Sequence, residues 1–225
     1  MLTVVIPTLD AATTLPATLA ALASVPVPPA VVIADGGSTD ATRAIAEARG
    51  AAVVLAPRGR GGQLAAGARA AARASGRSWL LFLHADTVLG PEWPAAVAHH
   101  IRTHPDRAGY FRFALDDPSP AARRIERLVR WRCAAFALPY GDQGLLIARD
   151  LYDRVGGFAP LPLMEDVDLV RRLGRGRLVP MAATATTSAV RYRRGGWWRR
   201  PLRNLSILSL WFCGASPAFL ARLYR

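Results

Sequence analysis

Carboxylates are scarce in this chain, with 16 Asp and Glu against 29 basic residues, so the places where they sit beside glycines or apolar runs carry weight. Leu83-His84-Ala85-Asp86-Thr87 closes a hydrophobic run with one hard oxygen ligand. Mg²⁺ or Mn²⁺ commonly takes one or two carboxylates and completes its shell with phosphate oxygens, so a single Asp86 is enough for a metal site. A turn-initiating Asp ahead of Pro91 would produce the same residue. His84 reads as a hydrogen-bonded histidine in preference to a direct metal ligand. Met164-Glu165-Asp166-Val167-Asp168 gathers three carboxylates at a helix start. The helix dipole alone favours acids there, while the chemical reading is a general base that takes a proton from a hydroxyl.

Two further segments suit a phosphorylated, ring-bearing ligand. Ala34-Asp35-Gly36-Gly37-Ser38-Thr39-Asp40 puts a carboxylate at a strand end, then glycines that permit close backbone approach, then hydroxyls that open a helix. Asp35 there accepts a hydrogen bond from a base N–H or a ribose hydroxyl, or else caps an ordinary turn. Arg58-Gly59-Arg60-Gly61-Gly62-Gln63 is not a dinucleotide fingerprint, because Leu64 stands where a third glycine belongs. It is not a P-loop either, since Ala68-Arg69 replaces Lys-Ser/Thr after Gly67. A helix N-terminus flanked by arginines still suits a diphosphate, and a solvated basic loop fits the same residues.

These residues fall at the ends of predicted strands. Leu2–Ile6, Val31–Ala34, Ala52–Leu55 and Trp79–Leu83 read as strands. Helices separate them, one ending near Ala23, one over Asp40–Arg49 and an alanine-rich one reaching Ser75. Continuous apolar strands alternating with amphipathic helices predict a parallel sheet with helices on both faces. Ligands of such sheets sit beyond the carboxyl ends of the strands. Later come a helix over Ala121–Phe136, a Gly-Asp-Gln-Gly turn, a strand at Leu145–Ala148 and a helix at Glu165–Leu173. His99, His100 and His104 share one predicted helix and read as solvated surface.

At 225 residues the chain is expected to form one domain, with residues 1–115 and 116–225 as its two halves. The formal charge of +13 is carried by arginine alone, since there is no lysine. With the heavy use of alanine, this reads as coding bias and not as a nucleic-acid footprint. It still favours anionic partners such as a nucleoside diphosphate, a phospholipid surface or a phosphorylated acceptor. Two distant cysteines, Cys133 and Cys213, predict no disulfide framework and a reducing, cytoplasmic setting. No signal peptide is read ahead of the first strand. Leu202–Phe212 is about half the ~20 residues that span a bilayer. In the basic, aromatic tail, Leu205, Leu208 and Phe212 have the spacing of a face that a core could bury. Trp197, Trp198 and Trp211, with Arg193, Arg194, Arg199 and Arg200, would add a peripheral contact with the inner membrane face.

Taken in order, these pieces resemble the family 2 glycosyltransferases with the GT-A fold, an α/β fold with a mostly parallel sheet. Val4-Val5-Ile6-Pro7-Thr8-Leu9-Asp10 looks like the opening strand and turn, and Asp35 falls on the nucleotide-binding aspartate. His84-Ala85-Asp86 sits at the DxD position, Glu165-Asp166 at the ED motif, and Arg193 to Trp198 near an Arg/Trp segment. Leu83–Thr87 and Ser216 to Arg225 are similar to a bacterial subgroup called radical-SAM/selenodomain-associated transferases. The resemblance implies an inverting sugar transfer from a nucleoside-diphosphate sugar to a hydroxyl acceptor, and a membrane contact of the tail would suit a lipid-linked one. Asp166 would be the base and Asp86 the ligand of a Mg or Mn ion. Pro7, Thr8, Asp10, Asp35, Ser38, Arg60, Gln63, His84 and Ala85 would form the nucleotide side. Gly141, Asp142, Gln143, Glu165 and Trp197 would form the acceptor side. Two departures stand out: Ala11 replaces a frequent Glu, and His84 replaces the first Asp of DxD. The competing readings are a nucleotidyltransferase, which would release pyrophosphate, and a non-catalytic basic protein of the membrane surface.

Overall fold

The computed structural model describes residues 1–71 and 78–224. Its first half alternates strand and helix: β1 (Leu2–Thr8), α1 (Leu15–Ala23), β2 (Ala30–Asp35), α2 (Thr42–Ala48), β3 (Ala52–Leu55), α3 (Arg60–Ala70) and β4 (Trp79–Phe82). The β-branched run Val4-Val5-Ile6 of β1 is fully buried because helices cover both faces of the strand, which is why its apolar pattern is continuous and not alternating. β1 pairs in parallel with β2 on one side and β4 on the other, and β3 extends the row beyond β2. The predicted helix end at Ser75 lies outside the described residues, and β1 runs two residues further than expected, to Thr8.

Gly67 explains how α3 reaches this sheet. A Cβ there would stand 2.4 Å from Cγ1 of Val5 and 3.3 Å from Cβ of Ala34, so only glycine permits the approach. That seating fixes where the N-terminus of α3 points.

The second half contributes β5 (Thr87–Leu89), α4 (Trp93–Thr103), β6 (Ala108–Leu115), α5 (Pro120–Phe136), β7 (Leu145–Ala148), α6 (Arg149–Arg154), α7 (Glu165–Leu173), β8 (Leu178–Thr187), α8 (Val190–Gly195), α9 (Arg199–Phe212) and α10 (Pro217–Tyr224). Among the described residues all eight strands join one sheet in the order β3-β2-β1-β4-β7-β6-β8-β5. Four pairings are parallel, among them β6 with β8; β4–β7, β6–β7 and β5–β8 are antiparallel. The result is a mixed α/β sheet, mostly parallel, with helices packed around it. β6 and β8 escape a reading by periodicity because Arg112 and Pro180 interrupt otherwise apolar or small residues. The pairing of these two strands slips between Tyr110 and Arg112.

One expectation is overturned here. His100 is buried, its Nε2 lies 3.0 Å from the carbonyl oxygen of Arg107, and its ring meets Trp79 edge to face. It is therefore a core residue of α4, whereas His99 faces solvent. Among the described residues no helix is long and apolar enough to cross a membrane. Both cysteines are free, Cys133 buried and Cys213 exposed.

Candidate active site

Beyond the carboxyl ends of β1, β2 and β4 lies an open groove of about 720 Å³. Pro7, Thr8, Asp10, Arg58, Gly59 and Gln63 line one side of it. The turn after β1 is pinned to the turn after β2. Asp10 adopts a left-handed backbone (φ 49°), which Asp tolerates better than most residues, and its carboxylate accepts from the N–H and the hydroxyl of Thr39. Its own N–H donates to Oγ of Ser38 at 2.9 Å.

Asp35 and Ser38 stand one layer behind that wall. Asp35 is fully buried, and both its oxygens are occupied from within the fold. Oδ1 accepts the N–H groups of Gly37 and Ser38, and Oδ2 accepts the hydroxyls of Thr8 and Ser38. Burial would raise this carboxyl, but the hydrogen bonds from Ser38, Thr8 and Gly37 outweigh it and hold it below its ordinary value. Neither residue lines the groove, so in this structure they shape the loop and do not face a ligand. Gln63 works in both ways: its amide donates to the carbonyls of Thr8 and Ala34, and it also lines the groove.

The groove runs into a smaller chamber of about 150 Å³. Arg60, His84, Asp86, Ser188 and Arg191 line both spaces and so form the passage between them. The chamber wall carries four carboxylates: Asp86, Asp142, Glu165 and Asp166. Their setting is built by the loop after α5. Ala137 takes a left-handed conformation (φ 52°) that ends that helix, and Arg132 then holds the loop together. Its guanidinium lies 3.5 Å from the centre of the Tyr140 ring and donates to the carbonyl of Leu138 and to Oε1 of Gln143.

Gln143 is thereby used up as a brace. Its Oε1 also accepts from the Tyr140 N–H and the Cys133 thiol, and its amide donates to the Phe111 carbonyl. Buried and satisfied, it does not line the chamber, which corrects the acceptor-side expectation for this residue. Trp197 is corrected likewise: it stacks on Tyr192 at 5.8 Å, and Tyr192 is the ring that reaches the chamber. Gly141 and Asp142 do line it.

α7 delivers the remaining carboxylates. Met164, just before it, is held in a left-handed conformation (φ 66°), a costly state for a side-chain-bearing residue, and it lines the chamber. Glu165 is buried, with Arg60 3.3 Å away. Burial and the neighbouring Asp166 charge push its carboxyl up to about 7, against the pull of Arg60. Asp142 is pushed up to about 6, chiefly by burial, with Arg132 opposing. One oxygen of Asp142, Oδ1, is buried without a partner among the described residues. Asp166 keeps both oxygens oriented, Oδ2 by the Gly141 N–H and Oδ1 by the Val167 N–H.

His84 departs from expectation. Its Nε2 is buried without a hydrogen-bond partner, and burial, then Arg60 and Arg191, holds its pKa well below 6.5. The ring is neutral and faces the passage. The Asp86 carboxylate accepts no hydrogen bond and joins no ion pair among the described residues, and no cluster of three or more His, Cys, Asp or Glu able to hold a metal exists among them. That arrangement suits an ion held by one protein carboxylate and by the ligand's own oxygens.

A loop-delivered carboxylate beside a basic groove at the carboxyl ends of parallel strands places the site where the fold predicts one. The sequence matches the description "Glycosyl transferase family 2" over residues 3–161. The chain belongs to this family. The match stops short of α7, so Glu165, Asp166 and the tail lie outside the matched residues and are brought to the chamber by the geometry described above. No curated relative matches the chain. Among solved structures it is similar to glucosyl-3-phosphoglycerate synthase from Mycobacterium tuberculosis, solved with Mn²⁺, UDP and glucosyl-3-phosphoglycerate. That likeness has a TM-score of 0.58 at 20% identity, over 84% of this chain and 70% of that one. It is also similar to S. aureus TarS 1–349 in complex with UDP-GlcNAc, with a TM-score of 0.62 at 17% identity, over 83% of this chain and 58% of that one. At these identities the likeness is one of fold.

Four residues of the chamber wall were not among the expected site residues. Arg191 on α8, Arg200 and Asn204 on α9, and Tyr224 on α10 all line the chamber. The only signal was a basic, aromatic segment whose side chains had no assigned direction.

Proposed function

We propose that the enzyme transfers a sugar, with inversion, from a nucleoside-diphosphate sugar in the groove to a hydroxyl of an acceptor in the chamber. One observation carries this reading: the two spaces meet at Asp86, Arg60 and Arg191, with the oriented carboxylate of Asp166 on the chamber side. Direct displacement requires a base on the face opposite the leaving group, and the two spaces put the base and the leaving group on opposite sides of one passage.

In this reading Asp166 takes the proton of the attacking hydroxyl. Arg60 and Arg191 face the diphosphate and offset the charge that develops on it. Asp86 would hold a divalent ion, Mg or Mn, together with the diphosphate oxygens. When bound, that ion supplies further stabilisation of the departing charge. The neutral His84 ring beside it adds no positive charge of its own. Pro7, Thr8, Asp10, Gln63 and Ala85 border the nucleotide, with Asp35 and Ser38 shaping their loop. Asp142 offers its unpartnered oxygen to the acceptor, and Glu165 sets the charge of the chamber. Residues 1–115 then serve the donor and 116–225 the acceptor.

The Mn²⁺ and UDP in the M. tuberculosis structure, and the UDP-GlcNAc in TarS, support a uridine donor and a Mn-type ion. The ending Ser216 to Arg225 supports placement in the radical-SAM/selenodomain-associated subgroup. A thermal-shift panel of nucleotide sugars, with and without Mn²⁺, tests the proposal, because a ligand of the folded state raises apparent stability. A metal-dependent shift followed by release of a nucleoside diphosphate is expected. Release of pyrophosphate would replace the reading with nucleotidyl transfer.

A further inference from the structure

The exposed large hydrophobic side chains are not scattered. Of fourteen such residues among those described, three lie on α5 and six between Trp198 and Leu223. Of the three tail residues expected to pack, Leu208 is buried, together with Ile207, while Leu205 and Phe212 are 58% and 51% exposed. α9 turns Leu208 against Val167 and Val170 of α7 and leaves the other apolar side unpartnered.

α5 and α9 belong to one surface. On α5, Trp131 and Phe136 meet edge to face at 5.3 Å, both outside the core. The Arg175 guanidinium, just past α7, donates to the carbonyls of Ala134 and Ala135 at the end of α5. The Arg171 guanidinium, one turn earlier, lies 4.8 Å from the centre of the Phe212 ring. α10 packs beside α9 and adds Phe219. Aromatic and cationic groups thus alternate from α5 across the end of α7 to the tail. The inner sides of α9 and α10 face the chamber through Asn204 and Tyr224, and the loop that follows α5 does so through Tyr140.

From this juxtaposition we propose that α5, α9 and α10 form a docking surface for an anionic lipid bilayer, which holds the chamber beside the headgroup layer. Only the naming of the chamber as the acceptor side rests on the proposed transferase reading. Charge selects the occupant. The chain carries +13, so a second copy would bring like charges together, whereas anionic headgroups complement the arginines while Trp and Phe enter the interface. Arg124, Arg127 and Arg130 on the exposed side of α5 can reach headgroups while the aromatic rings sit deeper.

Co-sedimentation tests the surface, using vesicles of phosphatidylcholine alone or mixed with phosphatidylglycerol, at low and high salt. The full chain is compared with Trp131→Ser/Phe136→Ser and Phe212→Ser/Phe219→Ser. All four positions are outside the core and outside the groove and chamber. Binding of UDP with Mn²⁺ by each variant serves as a separate check on the fold and the donor site. The expected result is salt-sensitive binding to the mixed vesicles only, weakened about tenfold or more in each double variant, with UDP binding unchanged. No binding to anionic vesicles at low salt would overturn the proposal. So would unchanged binding by both variants, or a dimer in light scattering that the variants dissolve. If UDP binding fails while vesicle binding holds, the donor-site reading falls and the surface stands.

Discussion

The backbone N–H of Gly141 donates a 2.8 Å hydrogen bond to Oδ2 of Asp166, joining the loop after α5 to the first turn of α7. The Val167 N–H holds the other oxygen at 2.8 Å. Two N–H donors leave a carboxylate oriented and still able to accept a proton on its free lone pairs. Asp166→Asn keeps the shape but turns an NH₂ group toward one of those donors and removes the basic oxygen. Turnover should fall by ~10²–10⁴, the usual worth of a general base, while calorimetric affinity for UDP stays near that of the native enzyme. Near-normal release of nucleoside diphosphate would move the role to Glu165.

Asp86 is expected to matter for binding where Asp166 matters for rate. Asp86→Ala removes the one hard oxygen at the passage that no protein group engages. Affinity for UDP in Mn²⁺ should drop by at least about tenfold, and the gain from adding the ion should vanish. Metal-free affinity should hardly change. Calorimetry with and without Mn²⁺ reads both, and a retained metal dependence would take Asp86 out of the site.

The first half of the chain was legible because its signals are local. Val4-Val5-Ile6 and Trp79 to Leu83 are buried on both faces, so composition alone marks them as strands, and polar residues at their ends announce the groove. The second half follows long-range pairing. β6 and β8 are joined across a register slip between Tyr110 and Arg112, and neither strand carries a clean period. Gln143 and Asp142 are neighbours in one short turn, yet one braces Tyr140 and the other faces the chamber. That division depends on where Arg132 and Phe111 lie, which no spacing rule contains. His100 reads as surface for the same reason: its burial comes from Trp79, on another element.

Glu165 should give the fold a visible pH dependence. Its carboxyl is raised from an ordinary 4.5 to about 7, chiefly by burial and then by Asp166. Between those values the folded chain holds a proton that the unfolded chain has lost. The stabilisation is complete below about 4.5, shrinks as pH rises, and is gone above about 7. Glu165→Gln removes the titrating group, so melting temperature from pH 5 to pH 8 should fall less steeply in the variant. Parallel curves would mean that the carboxyl titrates normally.

The seam between α3 and the loop before α7 offers a packing test with an internal control. A Cβ on Gly61 would stand 2.3 Å from the Ala159 carbonyl oxygen and 2.9 Å from both N and O of Leu161. Those are backbone atoms, so the N-terminus of α3 and residues 159–161 must separate. Arg60 reaches Glu165 across the same seam, so the separation carries into the passage. Gly61→Ala should cost about 1–3 kcal/mol, as overpacking of a close contact does. In a chain of this size that lowers the melting temperature by about 2–4 °C per kcal/mol. Weaker UDP binding should accompany it, since Arg60 lines both spaces. Gly62→Ala meets nothing within 4 Å and sits in the same first turn. It should be neutral or slightly stabilising, because alanine favours the helix. Thermal melts and UDP titrations of the two variants side by side decide the matter: equal behaviour would show that the seam opens without cost and that Gly61 holds no geometry the site needs.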